Sequence, residues 1–255
     1  MDLGLEGRVA VVTGASRGIG LAVVRAMLSA GVRVVAGARE VTPELAGDGL
    51  TAVRVDLAHP DGPAELVAAA AGRVDILVNN VGGAPARTGG FLSVTDDDWL
   101  HTLNLNLLSA VRATRAALPA MLAAGRGSIV NVCSVNSTLA DPAVIDYSAS
   151  KSALAGFSKA LSKEVGGRGV RVNTVSPGPV ATALWLGDGG VAQTVAGATG
   201  GDPAQVAAEA ARQTVTGRFS RPDEVANLVA LLASDLTANV TGSDFRIDGG
   251  LVPTW

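Results

Sequence analysis

Short runs of β-branched residues alternate along this chain with longer segments whose alanines and leucines recur at helical spacing, and that alternation restricts the fold more than any other feature. Residues 8–13 (RVAVVT) read as a strand, and residues 19–30 as a helix that Gly31 closes at the position where a left-handed residue ends helices. Residues 32–36 and 51–55 read as strands, followed by a helix over 63–71 with proline in its first turn. A fourth strand covers 74–79, helical spacing runs from 96 to 124, and a fifth strand covers 128–133. A long helix over 147–165, a sixth strand over 170–175, a last helix starting near Pro222 and a short final strand over 244–248 complete the pattern. Strands apolar nearly throughout are buried on both faces, so helices must cover both. The expectation is an α/β fold: a doubly wound parallel sheet of about seven strands with helices on both faces, in a single domain over 1–255. Ligands of such sheets lie beyond the carboxyl ends of the strands, where Gly14, Asp56, Asn79, Ser134 and Pro177 fall.

Composition excludes several function classes. The net charge is only -3 and no basic cluster is interleaved with aromatics, which argues against a nucleic-acid partner. Cys133 is the only cysteine, and His59 and His101 the only histidines, so neither a disulfide nor a thiolate or histidine metal centre is expected. The longest uncharged stretch, 172–187, is broken by Pro177, Gly178 and Pro179 and fails as a membrane span. The N-terminus has no leader pattern, so a cytoplasmic location is expected, and the sequons at Asn136 and Asn239 are read as chance matches.

The segment TGASRGIG, residues 13–20, admits two chemistries. Gly14, Gly18 and Gly20 suit a turn that brings a diphosphate to a helix N-terminus. Gly14-Ala15-Ser16-Arg17-Gly18 also matches the elbow that presents a serine nucleophile. The elbow needs a histidine late in the chain, and none follows residue 101. A third reading is a glycine turn used only for close helix packing. Tyr147 and Lys151, four apart, share one helix face, where an ammonium favours the phenolate of a neighbouring phenol.

Taken together, the motifs resemble those of the short-chain dehydrogenase/reductase family, whose fold is Rossmann-like, over nearly every residue from 7 to 250. TGASRGIG is similar to its TGxxxGxG cofactor turn, which implies contacts from Gly14, Ser16, Arg17, Gly18, Ile19 and Gly20. Asp56-Leu57 resembles its adenine contact. Asn79-Asn80-Val81-Gly82 resembles its NNAG segment, with Val81 replacing alanine. Residues 176–182 (SPGPVAT) resemble the segment beside the nicotinamide, which implies Pro177, Gly178, Val180 and Thr182. Asn106, Ser134, Tyr147 and Lys151 fall at the family's catalytic tetrad. The resemblance implies that Tyr147 exchanges a proton with the substrate oxygen, that Ser134 holds that oxygen, that Tyr147 and Lys151 also contact the cofactor, and that Asn106 serves a water relay to Lys151.

In the segment VVAGARE, Ala38 stands where an NAD enzyme carries the acid that binds the ribose, and Arg39 and Arg17 suit a 2′-phosphate. NADP(H) is therefore the expected cofactor, with NAD(H) as the alternative through Glu40. The substrate walls are expected around Asn136, Ile145, Leu184 and Trp185, beneath a mobile lid over about 178–215. Mostly apolar walls favour a small hydrophobic or aromatic ketone, or its alcohol, over a sugar. Arg87 raises the alternative of a carboxylate or a carrier-bound 3-oxoacyl chain. A dinucleotide-binding regulatory protein without turnover is the reading outside catalysis. The resemblance also implies a homotetramer, or a homodimer, paired through 96–124 and 147–165.

Overall fold

β1 (Val9–Thr13) is buried at all five positions, and its side chains alternate between two cores. Val9 and Val11 enter one, Ala10 and Val12 the other. This period-two division continues in the neighbouring strands at residues 34–36 and 76–78 and explains why the central strands carry no polar face. The computed structural model describes residues 2–254. Among them, β1, β2 (Arg33–Ala38), β3 (Leu50–Arg54), β4 (Ile76–Asn79), β5 (Gly127–Val132), β6 (Val170–Pro177) and β7 (Asp244–Ile247) form one parallel sheet in the order β3-β2-β1-β4-β5-β6-β7.

Helices α1 (Gly18–Ser29), α2 (Gly62–Ala68), α3 (Asp96–Leu103), α4 (Ser109–Ala124), α5 (Ile145–Val165), α6 (Ala183–Leu186), α7 (Val191–Thr199), α8 (Pro203–Arg212) and α9 (Pro222–Ala233) connect or cap these strands. Val23 and Met27 of α1 and Val229 and Leu232 of α9 fill the core on one face. Leu66 of α2, Ala117 and Met121 of α4 and Val165 of α5 fill the other. The doubly wound fold expected from the strand pattern is the fold observed.

Strand order reverses between β1 and β4, and their carboxyl ends are tied together there. The Thr13 hydroxyl accepts the Asn80 and Val81 N–H groups at 2.9 and 3.0 Å. The Asn80 amide donates to the Thr13 and Gly14 carbonyls, both at 3.0 Å. Gly14, at φ +65°, faces Val81 so closely that a Cβ would lie 2.9 Å from its Cα. The crevice at the switch point is thus built from TGASRGIG on one side and the NNVG segment on the other.

Two segments depart from the sequence reading. The expected regular helix over 96–124 holds a π turn, Asn104–Leu108, between α3 and α4, where the Ser109 N–H reaches the Asn104 carbonyl. This rod, Asp96–Ala124, is long and apolar enough to cross a membrane by length and composition alone. It lies along the sheet, with Ala113, Ala117 and Met121 buried in the core. The weakly patterned lid segment is helical, forming α6, α7 and α8. Its root is fixed where Ala181 and Ser220 exchange main-chain bonds with neighbours across the β-bridge at Val180.

At Gly20 a Cβ would lie 2.2 Å from the Gly14 carbonyl oxygen and 2.5 Å from the Asn80 amide. Gly20→Ala is expected to cost about 1–3 kcal/mol through this overlap at the seam. Urea unfolding checks it, and a wild-type midpoint would contradict the close approach.

Candidate active site

One cavity of about 1750 Å³ opens at the carboxyl ends of the strands. At its phosphate end, Gly14, Ser16, Arg17, Gly18 and Ile19 line the start of α1. Arg17, the N-cap residue, makes no side-chain cap bond, and the first turn carries no acidic residue. The first amide groups of a twelve-residue helix therefore face the cavity without a side-chain acceptor, a suitable cradle for a diphosphate. Gly18 lies against Thr182, where a Cβ would come within 3.1 Å of the methyl group, so the cradle and the lid root meet. The residues fit a dinucleotide.

The nucleoside end is lined by Ala38, Arg39, Glu40, Arg54, Asp56 and Leu57. β2 ends in the buried Ala38, so no carboxylate occupies that position. Arg54 was not anticipated. It pairs in register with Ala38 across β2 and β3, which brings a third guanidinium to the side of Arg17 and Arg39. None of the three has an acidic partner among the described residues.

At the other end Ser134, Tyr147 and Lys151 converge. Ser134 follows β5 and its hydroxyl accepts the Asn136 N–H at 3.2 Å. Tyr147 and Lys151 lie one turn apart on α5, with Lys151 Nζ 5.7 Å from the phenol ring centroid and 2.8 Å from the Val132 carbonyl that accepts its proton. Burial pushes the Tyr147 phenol up to about 12, against a smaller opposing effect of its hydrogen bond with Ser134. Burial also pushes the Lys151 ammonium down. Burial pushes the Cys133 thiol up to about 11, in keeping with a core residue.

Four residues expected at the site do not line the cavity. Asn79 is buried behind it, donating to Thr114 and Asn131 at 3.2 and 2.8 Å. Gly20 serves the packing of α1 onto the seam. Asn106, in the π turn, donates to the Gly83 and Thr102 carbonyls and accepts the Gly83 N–H at 3.0 Å. Its side chain holds the wall beside Lys151, so a relay to Lys151 must start from the main chain. Ile145 opens α5 facing elsewhere, and its neighbour Val144 takes the wall position.

Asn136, Leu184 and Trp185 do line the cavity, together with Pro177, Gly178, Val180 and Thr182. Trp185 packs edge-on against Phe219 at 5.3 Å, which anchors the lid. The walls are mostly apolar, as expected, with Leu139, Val144 and Val195 beside Leu184 and Trp185, while the exposed Gln205, Glu209 and Gln213 stand at the rim. Their four-residue spacing along α8 was a legible signal that apolar residues in the same segment masked. Arg87 is unavailable to a substrate anion. Its side chain is 14% exposed and is bound by Asp98 and Asp146.

A glycine cradle at the switch point and a Ser-Tyr-Lys cluster facing it define a dinucleotide-dependent oxidoreductase site. The short chain dehydrogenase family model matches residues 8–187, and the chain belongs to that family, whose members act on CH–OH groups with NAD(P). It is 39% identical to D-threitol dehydrogenase of Mycolicibacterium smegmatis, over 98% of this chain and 94% of that one. It is 36% identical to the 3-oxoacyl-[acyl-carrier-protein] reductase of Escherichia coli, over 98% and 99%. The structure of L-sorbose reductase from Gluconobacter frateurii, complexed with NADPH and L-sorbose, superposes with a TM-score of 0.90 at 32% identity and full coverage of both chains.

Tyr147 is the only tyrosine, so tyrosinate absorbance reports it alone. Burial disfavours the anion, so in cofactor-free protein the phenol should remain protonated past pH 10 and titrate near 12 in a pH jump. A midpoint at the ordinary value of about 10 would contradict the desolvated geometry.

Proposed function

We propose that this chain interconverts a small polyhydroxylated ketone and its secondary alcohol with NADP(H). The observation that carries the reaction is the convergence of Ser134, Tyr147 and Lys151 on one cavity that also contains the cradle of α1. Ser134 and Tyr147 hydrogen-bond the carbonyl oxygen, and Tyr147 gives it the phenol proton during reduction and takes it back during oxidation. Lys151, buried and fixed to the Val132 carbonyl, offers its remaining N–H groups to the ribose side and steadies the phenolate as it forms. When bound, the nicotinamide supplies or accepts the hydride. Trp185 and the lid helices exclude water from the reacting carbon.

The polar rim at α8 supports a hydroxylated substrate: Gln205 and Gln213, with Glu209 held by Arg212 between them, offer acceptors and donors to hydroxyls. Similarity to a threitol dehydrogenase and to a sorbose reductase agrees with it. A carrier-bound 3-oxoacyl chain is the second reading, favoured by the 36% identical relative. The inward pairing of Arg87 removes its anionic anchor. Arg17, Arg39 and Arg54 around a carboxylate-free β2 end support the 2′-phosphate of NADP(H) over NAD(H), with Glu40 as the opposing charge. A homotetramer through the outer faces of the rod and α5 agrees with the exposure of Leu100 and Leu108.

Assays with D-threitol and NADP⁺, with L-sorbose and NADPH, and with a short 3-oxoacyl thioester separate the readings. The polyol or ketose should give the higher kcat/KM by about tenfold or more, a difference of about 1.4 kcal/mol in transition-state binding; preference for the thioester would select the second reading. Tyr147→Phe should lower kcat by about 100-fold or more at unchanged NADPH affinity. Arg39→Ala should weaken NADPH by about tenfold and NADH by much less, since only the former carries the 2′-phosphate. Equal losses would reject the cofactor assignment.

A further inference from the structure

Arg87 lies away from the reacting groups, on the segment that follows β4, yet its bonds lead to the residue beside Tyr147. Its Nε donates to the Asp146 carboxylate at 3.2 Å, its Nη2 donates to the same group, and its Nη1 donates to Asp98 at 2.8 Å. Its main-chain N–H also donates to the Ala143 carbonyl at 2.7 Å, just before α5 begins. Asp146 is fully buried and accepts a further bond from the Thr102 hydroxyl at 2.6 Å. We propose that Arg87 and Asp146 are positioning residues, whose ion pair clamps the segment after β4 to the first turn of α5 and so fixes Tyr147 against Ser134 and Lys151.

The bonds continue as a circuit from Asp146 to the wall beside Lys151. Asp146 is held by Thr102, the Thr102 carbonyl accepts from Asn106, and Asn106 grips Gly83 through both its amide and its carbonyl. Gly82 completes the circuit: a Cβ there would lie 2.7 Å from Asn106 Oδ1 and 3.5 Å from Lys151 Nζ. Asp98 joins the circuit to the capping box that starts α3, accepting from the Thr95 N–H at 3.0 Å. The circuit meets the reacting groups at its two ends, where Asp146 precedes Tyr147 in α5 and Gly82 lies against Lys151.

Apolar packing would hold the start of α5 without fixing its rotation. A two-pronged guanidinium–carboxylate contact is directional. Asp146 also sits in the first turn of α5, where a carboxylate complements the helix dipole, so its charge is held by Arg87, Thr102 and the helix together. Burial disfavours that charge, but these bonds outweigh it and keep the carboxyl below its usual range. A shift of the phenol by a fraction of an ångström at this point alters proton transfer far more than it alters cofactor binding.

The clamp rests on the role of Tyr147 given above, and its test separates the two. The variant is Arg87→Met/Asp146→Leu, which removes both charges together and leaves neither buried alone. Arg87→Lys, which keeps the charge and loses the fork, is the second variant should the first not fold. NADPH affinity by calorimetry should stay within about twofold of wild type, while the tyrosinate midpoint of the cofactor-free variant falls from about 12 towards the ordinary value of about 10 as water reaches a loosened first turn. Turnover of the best substrate should fall about tenfold or more. A folded variant with the wild-type midpoint and turnover overturns the clamp, whatever Tyr147→Phe does. Retained turnover in Tyr147→Phe alongside a lowered midpoint in the clamp variant rejects the role of Tyr147 and leaves the clamp standing.

Discussion

The seam between β1 and β4 is the contact on which the site depends. Strand order reverses there, so the two loops leaving the seam diverge to opposite sides of the sheet and open a crevice between them. Two side chains close the seam at its top: the Thr13 hydroxyl receives two amide protons from the β4 side, and the Asn80 amide returns two bonds to the β1 side. Gly14 and Gly20 allow this approach, since a Cβ on either would collide with main chain within 3 Å. The cradle of α1 is therefore fixed by hydrogen bonds and by the absence of two side chains, before any ligand is present.

From that seam the site extends in both directions. Towards β2 and β3 it ends in arginines around the buried Ala38, and towards β5 and α5 it ends in a half-buried phenol and a buried ammonium. The second end is held at a cost. Burying Lys151 and Tyr147 disfavours the charged form of each, and the protein offsets this with the Val132 carbonyl and the Ser134 hydroxyl. A neutral phenol can donate a proton, the role proposed for Tyr147.

Most of the framework was legible because strands buried on both faces leave a continuous apolar record, and the cradle because its glycines and polar residues fall at a strand-to-helix junction. What stayed illegible required tertiary contact. The π turn at Asn106 was hidden because one extra residue in a leucine-rich rod leaves the apolar spacing nearly unchanged. Asn79 and Asn80 are adjacent and chemically identical, yet a strand end turns one into the core and the other onto the seam. Arg54 reached the site through the register of β3 on β2, and Arg87 left it because two acids distant in sequence fold against it. The lid read as unpatterned because alanine, glycine and threonine give weak contrast, although its helices are short and regular.

A dinucleotide seated in the cradle of α1 should place its nicotinamide beside Tyr147. The single tyrosine makes this directly measurable, by following tyrosinate absorbance against pH in the free protein and in protein saturated with NADP⁺. A bound cation near the phenol favours its anion, so the midpoint should fall well below that of the free protein, where burial pushes it up to about 12. An identical midpoint in the free and saturated protein would contradict it, because the cofactor would then be bound out of reach of the group proposed to move the proton.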